Sequence, residues 1–188
     1  MEAGRRPPAA NTPQRLFFAL WPDAALRRAI SDLAVALPMP RGARATRAER
    51  YHLTVWFLGD FDPLSDPVLA AIRSAADSVR AQCFELSLDR VDRFAGSRVG
   101  WLGPSSVPDA LTALHDALGV ALQSAGVPQK AATAFVPHIT VQRNVRIPLP
   151  AMDIPALVWE VRDFVLVQSV PGSAEPYRIA GTWPLMTR

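Results

Sequence analysis

Cysteine and lysine each occur once in this chain of 188 residues, at Cys83 and Lys130. One thiol permits no internal disulfide and no cysteine-based metal cluster, and it points to a reducing, cytoplasmic setting. Cys83 opens a predicted strand and is read as a small buried hydrophobe. With lysine so rare, all but one of the 20 basic residues are arginine. A bias of this kind follows genomic base composition as readily as function. The net charge of +3 and the pI of about 9.7 are mild for a nucleic-acid binder and decide nothing by themselves. No apolar run approaches the roughly 18 residues of a membrane span. The N-terminal "MEAGRRPPAANTPQ" has arginines but no apolar stretch behind them, so it is read as a disordered tail over residues 1–14, not a secretory signal. Histidine is also scarce, with three copies: His52, His115 and His138.

What is present reads as one globular unit over residues 15–188. Hydrophobic residues make up 49% and charged residues 20%, enough apolar content for a packed core and too little charge for disorder. The run Arg15–Pro22 is a short, aromatic, buried strand. Asp23 caps a helix whose apolar positions recur from Ala25 to Leu37, and Pro38 and Pro40 end it. Arg41–Arg50 holds four arginines and one acid without an apolar face; it is read as an exposed loop, with phosphate steering as its sharper use. A strand follows from Tyr51 to Asp60, then a helix over Asp66–Ala81. Cys83–Phe94 alternates as a half-buried strand, and Arg98–Pro104 is its hairpin partner. Leu111, Leu114, Leu118 and Leu122 place a helix over Pro108–Ala125. Phe135–Asn144 is the next strand, and Pro148, Pro150 and Pro155 mark a broken loop. Val158–Val170 and Tyr177–Leu185 close the chain as strands. Mixed helices and hairpin-like strands make the class α+β. A helix followed by a His-x-Thr strand occurs once in each half, which suggests two similar lobes facing each other.

The repeated tripeptides are His52-Leu53-Thr54 and His138-Ile139-Thr140. Residues i and i+2 of a strand share a face. Each lobe therefore presents one imidazole and one hydroxyl from a rigid element, with its apolar residues turned to the core. One neutral imidazole can take a proton while a second, protonated, gives one. The threonines and Arg143 can hold phosphoryl oxygens. That set suffices for a strained cyclic phosphodiester. Metal chemistry fits less well, since neither histidine has a carboxylate or a further histidine at ligand spacing. His115 stands alone in a leucine-rich helix and is read as structural. Asp60, after Gly59, is read as a turn residue. In a regular strand Trp56 shares the His52 face, where it could stack a base, and Phe57 shares the core face with Tyr51 and Leu53. Both are carried as candidate substrate contacts.

With these residues the chain resembles the 2H phosphoesterase superfamily, and within it the RNA 2',3'-cyclic phosphodiesterases, also called 2'-5' RNA ligases or LigT-like proteins. The resemblance runs from Arg15 to Leu185 through "RLFFALWP", "HLTVWFLGD", "RVGWLG", "PHITVQR" and "YRIAGTWPL". Members often carry Asn-Leu before the first histidine; here the residues are Glu49-Arg50-Tyr51. The resemblance implies a bilobal fold of two antiparallel sheets with flanking helices around a central cleft. It implies metal-free, cofactor-free hydrolysis of RNA 2',3'-cyclic phosphate ends to 2'-phosphates, with reversible 2'-5' ligation beside it. His52 would protonate the departing 3' oxygen, His138 would activate water, and Thr54, Thr140 and Arg143 would hold the phosphate. The expected partner is RNA with a cyclic phosphate end, met by a cytoplasmic monomer that engages no membrane. Small cyclic nucleotides or 2'-5' oligonucleotides are alternative substrates. A non-catalytic RNA-binding module is the alternative of another class, and the joint presence of both histidines, both threonines and Arg143 argues against it.

Overall fold

The computed structural model describes residues 13–128, 134–147, 152–169 and 177–187. Among these residues nine strands and three α-helices follow one another. They are β1 (Gln14–Leu20), α1 (Ala24–Ala36), β2 (Arg44–Ala45), β3 (Leu53–Phe61), α2 (Asp66–Ser78), β4 (Phe84–Phe94) and β5 (Val99–Gly103). Then come α3 (Asp109–Ser124), β6 (Ile139–Arg143), β7 (Met152–Val161), β8 (Asp163–Ser169) and β9 (Tyr177–Pro184). The strands run in the order β7-β4-β5-β6-β3-β1-β8-β9, with β2 added on β6, and every pairing between named strands is antiparallel. Most of the N-terminal segment read as a tail lies outside the described residues; β1 begins at Gln14.

The lobes are not the two halves of the chain. One lobe is β3-β1-β8-β9, built from both ends of the sequence, and the other is β6-β5-β4-β7, built from its middle. The stretch read as a single strand from Val158 is divided at Arg162. Its first part belongs to β7, which pairs with β4, and its second part is β8, which pairs with β1. Pro155 lies inside β7, not in a loop. β7 ends the sheet, where a residue without an N–H is tolerated. Pro148 and Pro150 lie outside the described residues. The repeat is nonetheless visible as β1-α1-β3 against β5-α3-β6, strand, helix and histidine strand in each case. The helices cross between lobes: α1 packs against β6 and β7, and α3 against β3.

All three helices contribute to one apolar core. Ile30 of α1, Ile72 and Ala76 of α2, and Leu111, Leu114, Leu118 and Leu122 of α3 join Leu16, Phe18, Leu53, Val55, Ile139 and Val141. Asp23 caps α1 by accepting the Leu26 N–H at 2.7 Å, as its sequence position suggests. On the opposite face of β1 and β8 a small second cluster forms from Phe17, Ala19, Val165 and Val167. β1 is therefore buried on both faces, and its second face becomes the floor of the cleft. No helix among the described residues is long and apolar enough to cross a membrane.

Candidate active site

The two lobes meet where β3 and β6 pair through a single residue pair, Leu53 with Ile139. Continued by one step either way, that antiparallel register sets His52 across from Thr140 and Thr54 across from His138. Leu53 and Ile139 are fully buried, so their neighbours face the other side of the sheet. There the four residues line one cavity of about 200 Å³, together with Arg15, Phe17, Phe57, Arg143, Ser169 and Tyr177. The paired tripeptides thus become a single site through one backbone contact.

Both histidines are held in the same way. His52 Nδ1 lies 2.8 Å from the Arg50 carbonyl, and His138 Nδ1 lies 2.7 Å from the Val136 carbonyl. A carbonyl can only accept, so each Nδ1 carries the proton and donates it, leaving Nε2 for chemistry. Aromatic rings fix the imidazoles. His52 lies 4.9 Å from Phe17 and 5.2 Å from Tyr177, and Trp21 stacks on it at 5.8 Å. His138 lies 4.8 Å from Phe94 and 6.2 Å from Trp101.

These surroundings favour the neutral imidazoles. Burial pushes His52 down to about 4, outweighing its bond to the Arg50 carbonyl, and the charges of Arg143 and His138 lower it further. His138 is lowered for the same reasons, burial first and then Arg143. An unfolded chain takes up the His52 proton near pH 6.5, whereas the folded protein resists it until about pH 4. The contribution to stability is therefore present above pH 6.5 and is lost as pH falls from 6.5 to 4. We expect unfolding free energies of the wild type and of His52→Asn to diverge across that window, the wild type losing on the order of 2 kcal/mol more. Denaturant titrations at pH 7 and pH 4.5 measure this; parallel losses in the two proteins contradict it.

Position 55 reverses the expected roles of Trp56 and Phe57. In the β1–β3 register Phe18 pairs with Trp56 and Ala19 with Thr54, which leaves Val55 as an extra residue. This bulge keeps Val55 and Trp56 on the core side and turns Phe57 into the cleft. Trp56 packs on α3, its ring 4.7 Å from His115 and so close to Gly119 that a Cβ there would lie 2.6 Å from it. Phe57 lines the cavity instead, with the Arg15 guanidinium 5.7 Å from its ring centre. Asp60 is not a turn residue: it lies in β3 and accepts from Arg15 Nε at 2.7 Å. His115 stacks on Phe135 at 4.3 Å, inside the packing of α3.

Arg15, Phe17, Ser169 and Tyr177 line the cavity without having been singled out in the sequence. Arg15 and Phe17 sit in an apolar run that reads as core, and Ser169 and Tyr177 become neighbours only through β8 and β9. Among the described residues, no group of three or more His, Cys, Asp or Glu side chains is arranged to hold a metal ion.

A split antiparallel sheet with paired His-x-Thr strands across its seam is the architecture of a family of RNA-end enzymes. Residues 21–170 match the family model of the 2'-5' RNA ligase superfamily, and the chain belongs to that family. Two relatives are each named RNA 2',3'-cyclic phosphodiesterase. The Escherichia coli protein is 33% identical over 85% of this chain and 89% of its own. The Archaeoglobus fulgidus protein is 30% identical over 83% of this chain and 91% of its own. The crystal structure of E. coli LigT complexed with 3'-AMP superposes with a TM-score of 0.78 at 30% identity, over 93% of this chain and 99% of that one.

Proposed function

We propose that the protein hydrolyses RNA 2',3'-cyclic phosphate ends to 2'-phosphates, with His52 and His138 as proton carriers. The observation that supports this most is the matched anchoring of both imidazoles, each holding a backbone carbonyl with Nδ1 and so keeping Nε2 for proton transfer, in one small cavity with Thr54, Thr140 and Arg143. His138 Nε2 takes a proton from water as the water oxygen bonds to phosphorus. The bond from phosphorus to the 3' oxygen breaks, and His52 Nε2 gives that oxygen its proton. The incoming anion offsets the burial and the Arg143 charge that favour neutral His52, so the acid gains its proton together with the substrate. The threonine hydroxyls and Arg143 donate to the non-bridging oxygens, whose charge grows in the transition state. With a 5'-hydroxyl in place of water, the same attack forms a 2'-5' linkage. Every group in this scheme comes from one chain, so the reaction needs no second copy, and we place the protein in the cytoplasm as a monomer working without a metal.

The test is turnover of a cyclic-phosphate-ended oligonucleotide beside a free nucleoside 2',3'-cyclic phosphate and a 2'-5' oligonucleotide, with the product isomer identified. We expect ring opening to the 2'-phosphate, unaffected by EDTA. A protein that binds the RNA and leaves the ring closed is a binding module, and a 3'-phosphate product reverses the scheme.

A further inference from the structure

A second cavity of about 790 Å³ adjoins the catalytic one and shares a residue with it. Arg44, Ala45, Thr46, Arg47, Arg50, Arg143 and Asn144 line it, and Arg143 lines both. The segment read as an exposed loop, with phosphate steering as its sharper use, contains regular structure. β2 pairs with the end of β6, and Ala48–Arg50 form a 3-10 turn that leads into His52. Asn144, with φ of 59°, turns the chain after Arg143 and donates through Nδ2 to the Gly42 carbonyl at 2.7 Å. The thread Thr46 N–H to the Val141 carbonyl, 2.8 Å, ties the same segment to β6.

Two features of this groove are unfavourable in the chain alone. Arg44 and Arg143 are directly paired across β2 and β6, an arrangement of like charges that destabilises a sheet. Among the described residues none of the four guanidinium groups is ion-paired, and no acidic residue lines the groove. The segment's one acid, Glu49, sets its charge against Arg27 and Tyr51. Thr46 Oγ1 is buried without a hydrogen-bond partner among the described residues. An anion in the groove offsets the Arg44–Arg143 repulsion and gives the four guanidinium groups a partner. The catalytic cavity, at about 200 Å³, falls below the roughly 300 Å³ from which ligand sites usually begin. It has room for the reacting phosphate but little surface with which to bind a long substrate.

We propose that the Arg44–Arg47–Arg50 groove binds the phosphodiester backbone of the RNA strand upstream of the reacting end, and that Arg143 joins the two sites. This deepens the functional reading above and rests on it for the identity of the strand. Guanidinium groups with no ion-pair partner among the described residues bind phosphates without reading sequence, so the groove selects oligonucleotides over mononucleotides, not one base over another.

The test is binding of a fluorescent RNA pentanucleotide with a 2'-phosphate end, followed by anisotropy, to wild type and to Arg44→Gln/Arg47→Gln. The comparison ligands are a nucleoside 2'-monophosphate and a nucleoside 5'-triphosphate. Arg28→Gln/Arg80→Gln, two exposed arginines outside the groove, controls for overall charge. We expect the groove variant to bind the pentanucleotide about tenfold more weakly, with its log–log salt slope shallower by about 1.4. The monophosphate binds as to wild type and the control loses less than twofold. Equal weakening of all ligands, an equal loss in the control, or no loss overturns the proposal. Selective loss of the triphosphate assigns the groove to a polyphosphate tail and also overturns it. Binding requires no turnover, so selective loss in a protein that leaves the cyclic ring closed sinks the catalytic reading while the groove stands. A melting temperature of the groove variant at or above that of wild type confirms that it is folded and that the Arg44–Arg143 repulsion was real; a fall rejects the like-charge argument.

Discussion

His138→Asn and His52→Asn each lower kcat on a cyclic-phosphate-ended oligonucleotide by about 10²–10⁴-fold, the usual contribution of a positioned proton carrier. Asparagine can keep the donor that meets the Val136 or Arg50 carbonyl, so the backbone anchor is retained while proton transfer is lost. In the proposed scheme the two histidines act on one transition state, so the double variant is expected to fall little further than either single one. The roles separate with the leaving group. A phosphodiester with a phenolic leaving group needs no proton on departure, and it restores most of the rate to the His52 variant and little to the His138 variant. Restoration in the His138 variant alone exchanges the two roles. Full activity of either variant on the natural type of end removes that histidine from the mechanism.

Arg143→Gln is the second large effect, and it moves activity and stability in opposite directions. The guanidinium lies at the rim of the catalytic cavity, and its charge lowers both histidines. Removing it takes away a donor to the developing phosphoryl charge, a loss of about 10²–10³ in kcat. It also removes one member of the like-charge pair with Arg44, which returns about 0.2–1 kcal/mol to the folded state. Both imidazole pKa values rise in the variant because a repelling charge is gone. Kinetics, thermal melting and an NMR titration of the imidazoles measure the three together. Arg143→Lys keeps the charge without the fork and falls between wild type and Gln. A variant that is both less active and less stable shows instead that Arg143 holds the strand end in place.

The candidate site was legible in the sequence because its residues are carried by a local pattern. His-x-Thr places two side chains on one strand face whatever the rest of the chain does, and its recurrence in two apolar strands marked both halves of the site. The departure at Glu49-Arg50-Tyr51 was legible too, though its meaning was not. The helices followed from their apolar spacing, and Asp23 from its capping position. Trp56 and Phe57 show where the reading broke. Strand parity is reliable only while the register is regular, and the extra residue at Val55 appears only when β3 is laid against β1.

By itself the sequence determined the α+β class, the strands bearing His52 and His138, and the side chains that the fold gathers in one cavity. Only the tertiary structure decided how they combine. Strand order set the lobes as ends against middle, because hydrogen bonding between strands is a non-local choice that composition does not record. The single Leu53–Ile139 pair brought the histidines together across the seam, and the fold of β8 and β9 delivered Ser169 and Tyr177 to the same wall. The pairing of β2 with β6 turned a run of arginines into one side of a groove. Like charges are placed opposite each other there by backbone pairing, a proximity that exists only once the chain is folded.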